Sequence, residues 1–216
     1  MEKSKAEGKS WVEAARMLVA QRRSLQPIAQ LPESLRPRNE AEGYALQDVM
    51  KELLTDAGLG PQVGHKIGCT TDVMRKFLNI PTPCAGNIYA NGVLRKSGRV
   101  SRKRFVKIGI ECEIAVILGS DLIPDGTPFT RERVAAAVSA VMPAIEIVDD
   151  RYRDFAALGA PTLTADDFFH SGSVLGEPIA DWQRLDLASL SGATFIDGVQ
   201  VGRGTGASVM GHPLNA

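Results

Sequence analysis

Apolar positions recur at helical spacing in the first part of the chain and at strand spacing through most of the remainder. Trp11, Ala14, Ala15, Leu18 and Val19 form one face of a helix running to Arg23. Ser10 suits its N-cap, and Glu13 lies in the first turn, where the helix dipole favours a carboxylate. Pro27, Pro32 and Pro37 then mark a connector. Ala45, Leu46, Val49, Met50, Leu53 and Leu54 predict a second helix over about Asn39 to Ala57, with Gly58 suited to the position just past its end. Two helices ahead of a strand-rich region can form a small lid or oligomer-contact subdomain, or pack directly on the main core.

From Pro61 the texture changes to short strands and turns. Gln62–Thr70 reads as a strand with glycines on both sides of Lys66, followed by a short helix from Thr71 with Met74, Phe77 and Leu78 facing inward. Pro81–Gly86 reads as a rigid turn, and Tyr89-Ala90-Asn91-Gly92 ends a further strand with a hairpin signal. Arg95–Arg104 carries six Lys or Arg in ten positions, the composition of a solvated loop. Lys107–Leu118 alternates: Ile108, Ile110, Cys112, Ile114, Val116 and Leu118 share one face. Glu111 and Glu113 share the other, about 7 Å apart. Thr130 caps a predicted helix carrying Glu132, Val134, Ala135, Val138 and Val141, which Pro143 closes. That helix permits a crossover bringing the Glu111/Glu113 strand and the strand of Glu146 to one site. Trp182–Leu190 reads as a turn and short strand, and Thr194–Val201 as a hairpin around Asp197-Gly198. Gly202–Gly206 is glycine-rich but lacks the Gly-Lys-Ser/Thr ending of a phosphate loop, which argues against nucleotide binding.

A Glu-x-Glu pair on a strand has an ordinary explanation as the wet face of a half-exposed sheet. Glu146 changes the balance, because it interrupts the apolar run Ile145, Ile147, Val148. An ionised carboxylate is costly to bury unless a cation meets it, so three glutamates on two strands point to a divalent metal held by oxygen ligands. Lys66 has two readings. It is either an edge-strand lysine that discourages aggregation, or a group beside a metal-bound keto acid that stabilises an enolate or moves a proton.

Composition narrows the field. With 216 residues and 44% hydrophobic content the chain can bury one sizeable core. Lys plus Arg equals Asp plus Glu at 25 each, so charge supplies no case for nucleic acid or an anionic membrane. Cys69, Cys84 and Cys112 form no zinc pattern and are expected as reduced thiols in a cytoplasmic protein. The charged start lacks an apolar signal core, and no run approaches the ~20 apolar residues of a membrane span, so neither a signal peptide nor a membrane segment is expected.

Lys66-Ile67-Gly68, Glu111-Cys112-Glu113, Pro143 through Arg151, Val174-Leu175-Gly176 and Gly211 through Ala216 occur in the order seen in 2-keto-4-pentenoate (2-hydroxypentadienoate) hydratases. From roughly Ala41 onward the chain resembles the hydratase and decarboxylase branch of the fumarylacetoacetate hydrolase superfamily. The resemblance implies an α+β fold, a mixed β-sandwich roll with an N-terminal helical subdomain. The implied division is residues 1–60 for the helices and 61–216 for the catalytic domain. It implies that Glu111, Glu113 and Glu146 hold Mg²⁺ or Mn²⁺, that Lys66 is the active-site lysine, and that the substrate is a small 2-keto acid. It also implies a homo-oligomer. The expected reaction adds water to 2-hydroxy-2,4-dienoates in aromatic-compound breakdown. The alternatives are a 4-oxalocrotonate-type decarboxylase, an acylpyruvate C–C hydrolase, or a catalytically weakened partner subunit.

The chain also departs from the family pattern. Cys84 stands where many family hydratases carry Asp. Asp166–Gly172 replaces the family's Asp-Asn-Ala-Ser-Ser near the substrate carboxylate. This puts Asp167, Phe169 and Ser171 at the expected substrate site and offers His170 as a replacement acid or base, or as a loop histidine bonded to backbone. His65 and His212 read as structural. Family members continue past the matching Asn215-Ala216, so the C-terminal part of the domain is expected to be missing here or supplied by a partner.

Overall fold

The computed structural model describes residues 2–216, with side chains from Trp11 onward. Helix α1 (Glu2–Ser24) begins well before the N-cap expected at Ser10, which lies inside the helix with its side chain outside the described residues. Helix α2 (Glu40–Leu54) starts where Asn39 accepts a hydrogen bond from the Glu42 backbone N–H. Past α2 the backbone widens over Thr55–Leu59, and Gly58 takes a left-handed φ of 99° that suits glycine. Ala14, Ala15 and Leu18 of α1 and Leu46, Met50 and Leu54 of α2 are buried with Cys84, Tyr89, Leu163 and Phe168. The helices therefore share a core with the strand-bearing part of the chain.

Strand β1 (Gln62–Gly68) pairs antiparallel with β2 (Cys84–Tyr89), and α3 (Asp72–Leu78) lies between them. Met74 and Phe77 of α3 are 38% and 59% exposed, so the inward face expected there reduces to Leu78, which packs on the core. Strand β3 (Val93–Arg95) makes no hairpin with β2; it pairs in parallel with a later strand. Strand β4 (Ile108–Leu118) is followed by α4 (Arg131–Ala137), capped by Thr130 as expected, and by β5 (Val138–Asp149). Val138 and Val141 fall in β5, and Pro143 lies inside that strand opposite Ile114 instead of closing a helix. Pairing on both sides of β5 outweighs the weak local helix preference of that stretch. The two strands are direct antiparallel neighbours, so no crossover is involved.

Short helices α5 (Phe155–Leu158) and α6 (Ala160–Ala165) lead into β6 (His170–Leu175), and the sheet order is β3-β6-β5-β4. Strands β7 (Ser191–Ile196) and β8 (Val199–Thr205) form the expected hairpin, turning at Asp197 and Gly198, both at positive φ. Trp182–Leu190 holds a single helical turn and no strand, with Trp182 and Leu187 buried against Val138 and Val141. Among the described residues no helix is long and apolar enough to cross a membrane.

Candidate metal centre

The register of β4 on β5 sets Glu111 directly opposite Glu146, with Glu113 opposite Ala144. Opposed residues of an antiparallel pair project to the same face, so all three carboxylates rise from one side of the sheet. Their ligand oxygens lie within 4.8 Å of one another. Strand β5 exposes Ile145 (40%) and buries Glu146 (7%), the reverse of what hydropathy alone assigns. From β1, the Lys66 Nζ lies 3.3 Å from Oε1 of Glu146 and 3.5 Å from Oε2. From β6, His170 Nδ1 lies 2.7 Å from Oε1.

Lys66 reaches the sheet because the β1–β2 ladder docks on the turn before β6. Asp167 accepts hydrogen bonds from the backbone N–H and side-chain amide of Asn87, at 2.9 and 3.0 Å. Gly86, the ladder partner of Lys66, sits so close to that turn that a Cβ would stand 2.8 Å from the Asp167 carbonyl oxygen. A side chain at position 86 would push Lys66 away from Glu146.

The electrostatics are those of a site short of positive charge. Burial raises Glu146 most strongly, yet the His170 hydrogen bond and the Lys66 charge together outweigh it and hold Glu146 below its ordinary value. For Glu113, burial, then the charges of Glu146 and Glu111, outweigh the Lys66 charge and push it up to about 7. Burial and Glu146 also raise Glu111, although this residue stays exposed at the rim and water limits the effect. Three carboxylates face one lysine, and a hard divalent cation would supply the missing charge. The donor set fits such a cation: all three donors are carboxylate oxygens, His170 Nδ1 is engaged by Glu146, and Cys112 projects to the opposite face of β4.

A carboxyl whose folded-state pKa lies above its unfolded value stabilises the fold while protonated. For Glu113 that contribution is complete below its ordinary 4.5 and is lost as pH rises through about 7. Metal-free Glu113→Gln should therefore match wild type near pH 4 and become ~1–2 kcal/mol more stable by pH 8, read as a difference in urea midpoints. Adding Mg²⁺ should stabilise wild type and leave the variant unchanged.

The segment replacing the family's small polar residues is clamped. Asp167, Phe168 and Phe169 adopt φ of 57°, 48° and 69°, three consecutive left-handed non-glycine residues. Such conformations cost ~1–3 kcal/mol each and persist only where the surroundings enforce them. Arg151, 1% exposed, does most of this. Its Nε donates to Asp166 Oδ2 at 2.6 Å, and its guanidinium also donates to the carbonyls of Asp166, Phe169 and His170 and to Ser171 Oγ. Arg22 of α1 adds contacts to Asp166, Asp167 and the His170 carbonyl.

The residues expected at the substrate site have partners within the chain. The carboxylate of Asp167 is held by Asn87 and Arg22, Ser171 Oγ accepts from Arg151, and the Phe169 ring packs on Tyr152 and Phe155 at centroid distances of 4.9 and 5.6 Å. These contacts tie all three side chains into the turn. His170 is 2% exposed with Nδ1 on Glu146, a contact that fixes the orientation of that carboxylate. The ring that lies beside Lys66 Nζ, 5.8 Å away, belongs to Phe168, which no pattern in the sequence singles out. Arg22 was likewise legible only as a charged residue near a helix end, and Arg151 only as the last residue of a family motif with no contact assigned to it. His212 caps the last turn by accepting from the Leu214 backbone N–H, a structural role, and His65 lies exposed beside Gln62.

No protein-family model matches the chain. A 2-keto-4-pentenoate hydratase of Paraburkholderia phymatum is 32% identical over 203 residues, spanning 94% of this chain and 76% of that protein. A 4-oxalocrotonate decarboxylase of a Pseudomonas species is 32% identical over 157 residues, 72% of this chain and 58% of that protein. Among solved structures, 4-oxalocrotonate decarboxylase from Pseudomonas putida G7, complexed with magnesium and adipate, superposes with a TM-score of 0.84. It is 23% identical, and the match covers 95% of this chain and 77% of that one.

Proposed function

Since the chain belongs to the 2-keto-4-pentenoate hydratase family, in the hydratase and decarboxylase branch of the fumarylacetoacetate hydrolase superfamily, we propose that it is a divalent-metal-dependent hydratase. It adds water to 2-hydroxy-2,4-dienoates and yields 4-hydroxy-2-oxo acids in aromatic-compound breakdown. One observation carries this reading: Glu111, Glu113 and Glu146 converge within 4.8 Å, with Lys66 on the same cluster. The three glutamates would hold Mg²⁺ or Mn²⁺, which when bound supplies Lewis-acid polarisation of the substrate's carboxylate and 2-oxygen.

The remaining work falls to the chain's own side chains. The Lys66 ammonium, on a side chain 11% exposed, would donate to the substrate's 2-oxygen and hold the charge that develops there as the 2-hydroxyl proton leaves to water. The dienol then ketonises by gaining a proton at its terminal carbon. Water adds to carbon 4 and a proton to carbon 3, completing the hydration. His170 keeps Glu146 in one orientation throughout, and Phe168 excludes water from one side of Lys66.

A fall in dienoate absorbance that requires Mg²⁺ and stops with EDTA tests the proposal. Lys66→Met should lower kcat by about 10²–10⁴-fold without weakening Mg²⁺ affinity, because it removes a competing cation. A decarboxylase reading is favoured by the 32% identical relative of that name. It predicts CO₂ release from 4-oxalocrotonate while the dienoate stays unchanged. Inactivity on both substrates with Mg²⁺ bound would instead identify a weakened partner subunit.

A further inference from the structure

We propose that Cys69 and Cys84 form a reversible redox pair, closed to a disulfide by a hydroperoxide and reopened by a small thiol. The pair lies outside the carboxylate cluster and takes no part in the hydration. Gly68, the last residue of β1, pairs with Cys84, the first residue of β2, and Cys69 follows Gly68 directly. Cys69 leaves the strand at a left-handed φ of 59°, a conformation that costs a non-glycine residue energy. There it packs against the same buried cluster as Cys84, and the two thiols titrate as an interacting pair. Cys84 is 3% exposed and Cys69 half-buried. A cavity of about 250 Å³, lined by Glu40, Pro81, Thr82, Cys84, Pro161 and Thr164, gives a small oxidant access to the buried sulfur.

The two thiols are not equivalent. The cavity reaches Cys84 and not Cys69. The neighbouring Cys69 thiol lowers Cys84 against the opposing effect of burial, with Thr164 and the Lys66 charge adding to that lowering, while the same interaction and burial raise Cys69. Cys84 is thus the attacking thiolate and Cys69 the resolving thiol.

The chemistry closes in two steps. The Cys84 thiolate attacks one peroxide oxygen, the O–O bond breaks, and Cys84 becomes a sulfenic acid while the other oxygen leaves and is protonated as water or alcohol. Cys69 then gives up its proton and attacks the Cys84 sulfur. The S–O bond breaks, the S–S bond forms, and water departs. Two thiols lose two electrons and the hydroperoxide gains them. The bridge encloses α3 and the Pro81-Thr82-Pro83 segment and pins the end of the ladder that presents Lys66.

The full-length chain, treated with equimolar hydrogen peroxide, alkylated and digested without reductant, tests this by mass spectrometry. The expected product is a Cys69–Cys84 linked peptide, lighter by two hydrogens than the reduced pair, with Cys112 alkylated, and dithiothreitol should restore both thiols. Cys69→Ser should halt at a Cys84 sulfenic acid that dimedone captures, and Cys112→Ser should still form the bridge. Oxidation confined to Cys112, a bridge involving Cys112, or conversion of wild-type Cys84 to sulfinic acid without a linked peptide would each overturn the proposal. These readouts need no turnover, so they stand apart from the outcome of the hydratase assay.

Discussion

Glu146→Gln should abolish metal-dependent turnover, by about a thousandfold or more, while the protein stays folded. The substitution keeps the volume and the hydrogen-bonding reach of the side chain, so His170 Nδ1 retains a partner 24 residues away on the neighbouring strand. It removes the charge that meets Lys66 and one of three carboxylates whose oxygens converge within 4.8 Å. Loss of that charge also relieves Glu111 and Glu113, both raised in part by Glu146, which offsets the unpaired lysine and keeps the stability change small. Calorimetric Mg²⁺ titration beside circular dichroism separates the two effects. Full metal affinity in a folded Glu146→Gln would remove Glu146 from the metal centre.

Arg151→Met should have the largest effect on stability, a loss of about 3–5 kcal/mol and a fall in melting temperature of roughly 10 °C. The guanidinium is 1% exposed and supplies donors to Asp166, Phe169, His170 and Ser171, so its removal strands a buried carboxylate and several carbonyls at once. Those same contacts hold three left-handed residues in place. The turn should relax toward ordinary backbone angles and carry His170 away from Glu146. Arg151→Lys should recover little, since an ammonium cannot reproduce the planar fork that spans five acceptors. Thermal unfolding monitored by near-ultraviolet circular dichroism reads the effect. A melting temperature within ~2 °C of wild type would mean that the turn holds itself together without Arg151.

Alternation along Lys107–Leu118 was enough to place Glu111 and Glu113 on one face, because side-chain direction in a strand repeats every second residue whatever the partner strand is. The helical stripes of α1 and α2 were legible for the same local reason. The stretch from Val134 to Pro143 misled because its alanines and valines suit a helix, a strand or both. Only pairing with β4 and β6 decides that Val138 onward is extended, and it also turns Pro143 from a helix stop into a strand residue. For Asp167, Phe169 and Ser171 no local pattern showed their partners inside the chain: two arginines distant in sequence, Arg22 and Arg151, meet the polar groups, and an aromatic cluster packs on the ring.

From the amino-acid order alone, then, came the candidate carboxylates Glu111, Glu113 and Glu146 and the shared strand face of the first two, since these depend on local periodicity and residue chemistry, whereas the role expected of Lys66 came from the resemblance to the family. The tertiary structure decided which residues meet. It opposed Glu111 to Glu146 across a ladder and brought Lys66 over from a separate pair of strands through the close approach that Gly86 permits. It also set His170 behind Glu146 and placed Cys69 next to the ladder partner of Cys84. Those meetings depend on strand register and on buried charge pairs between residues far apart in the chain, and no local pattern encodes the distances over which they act.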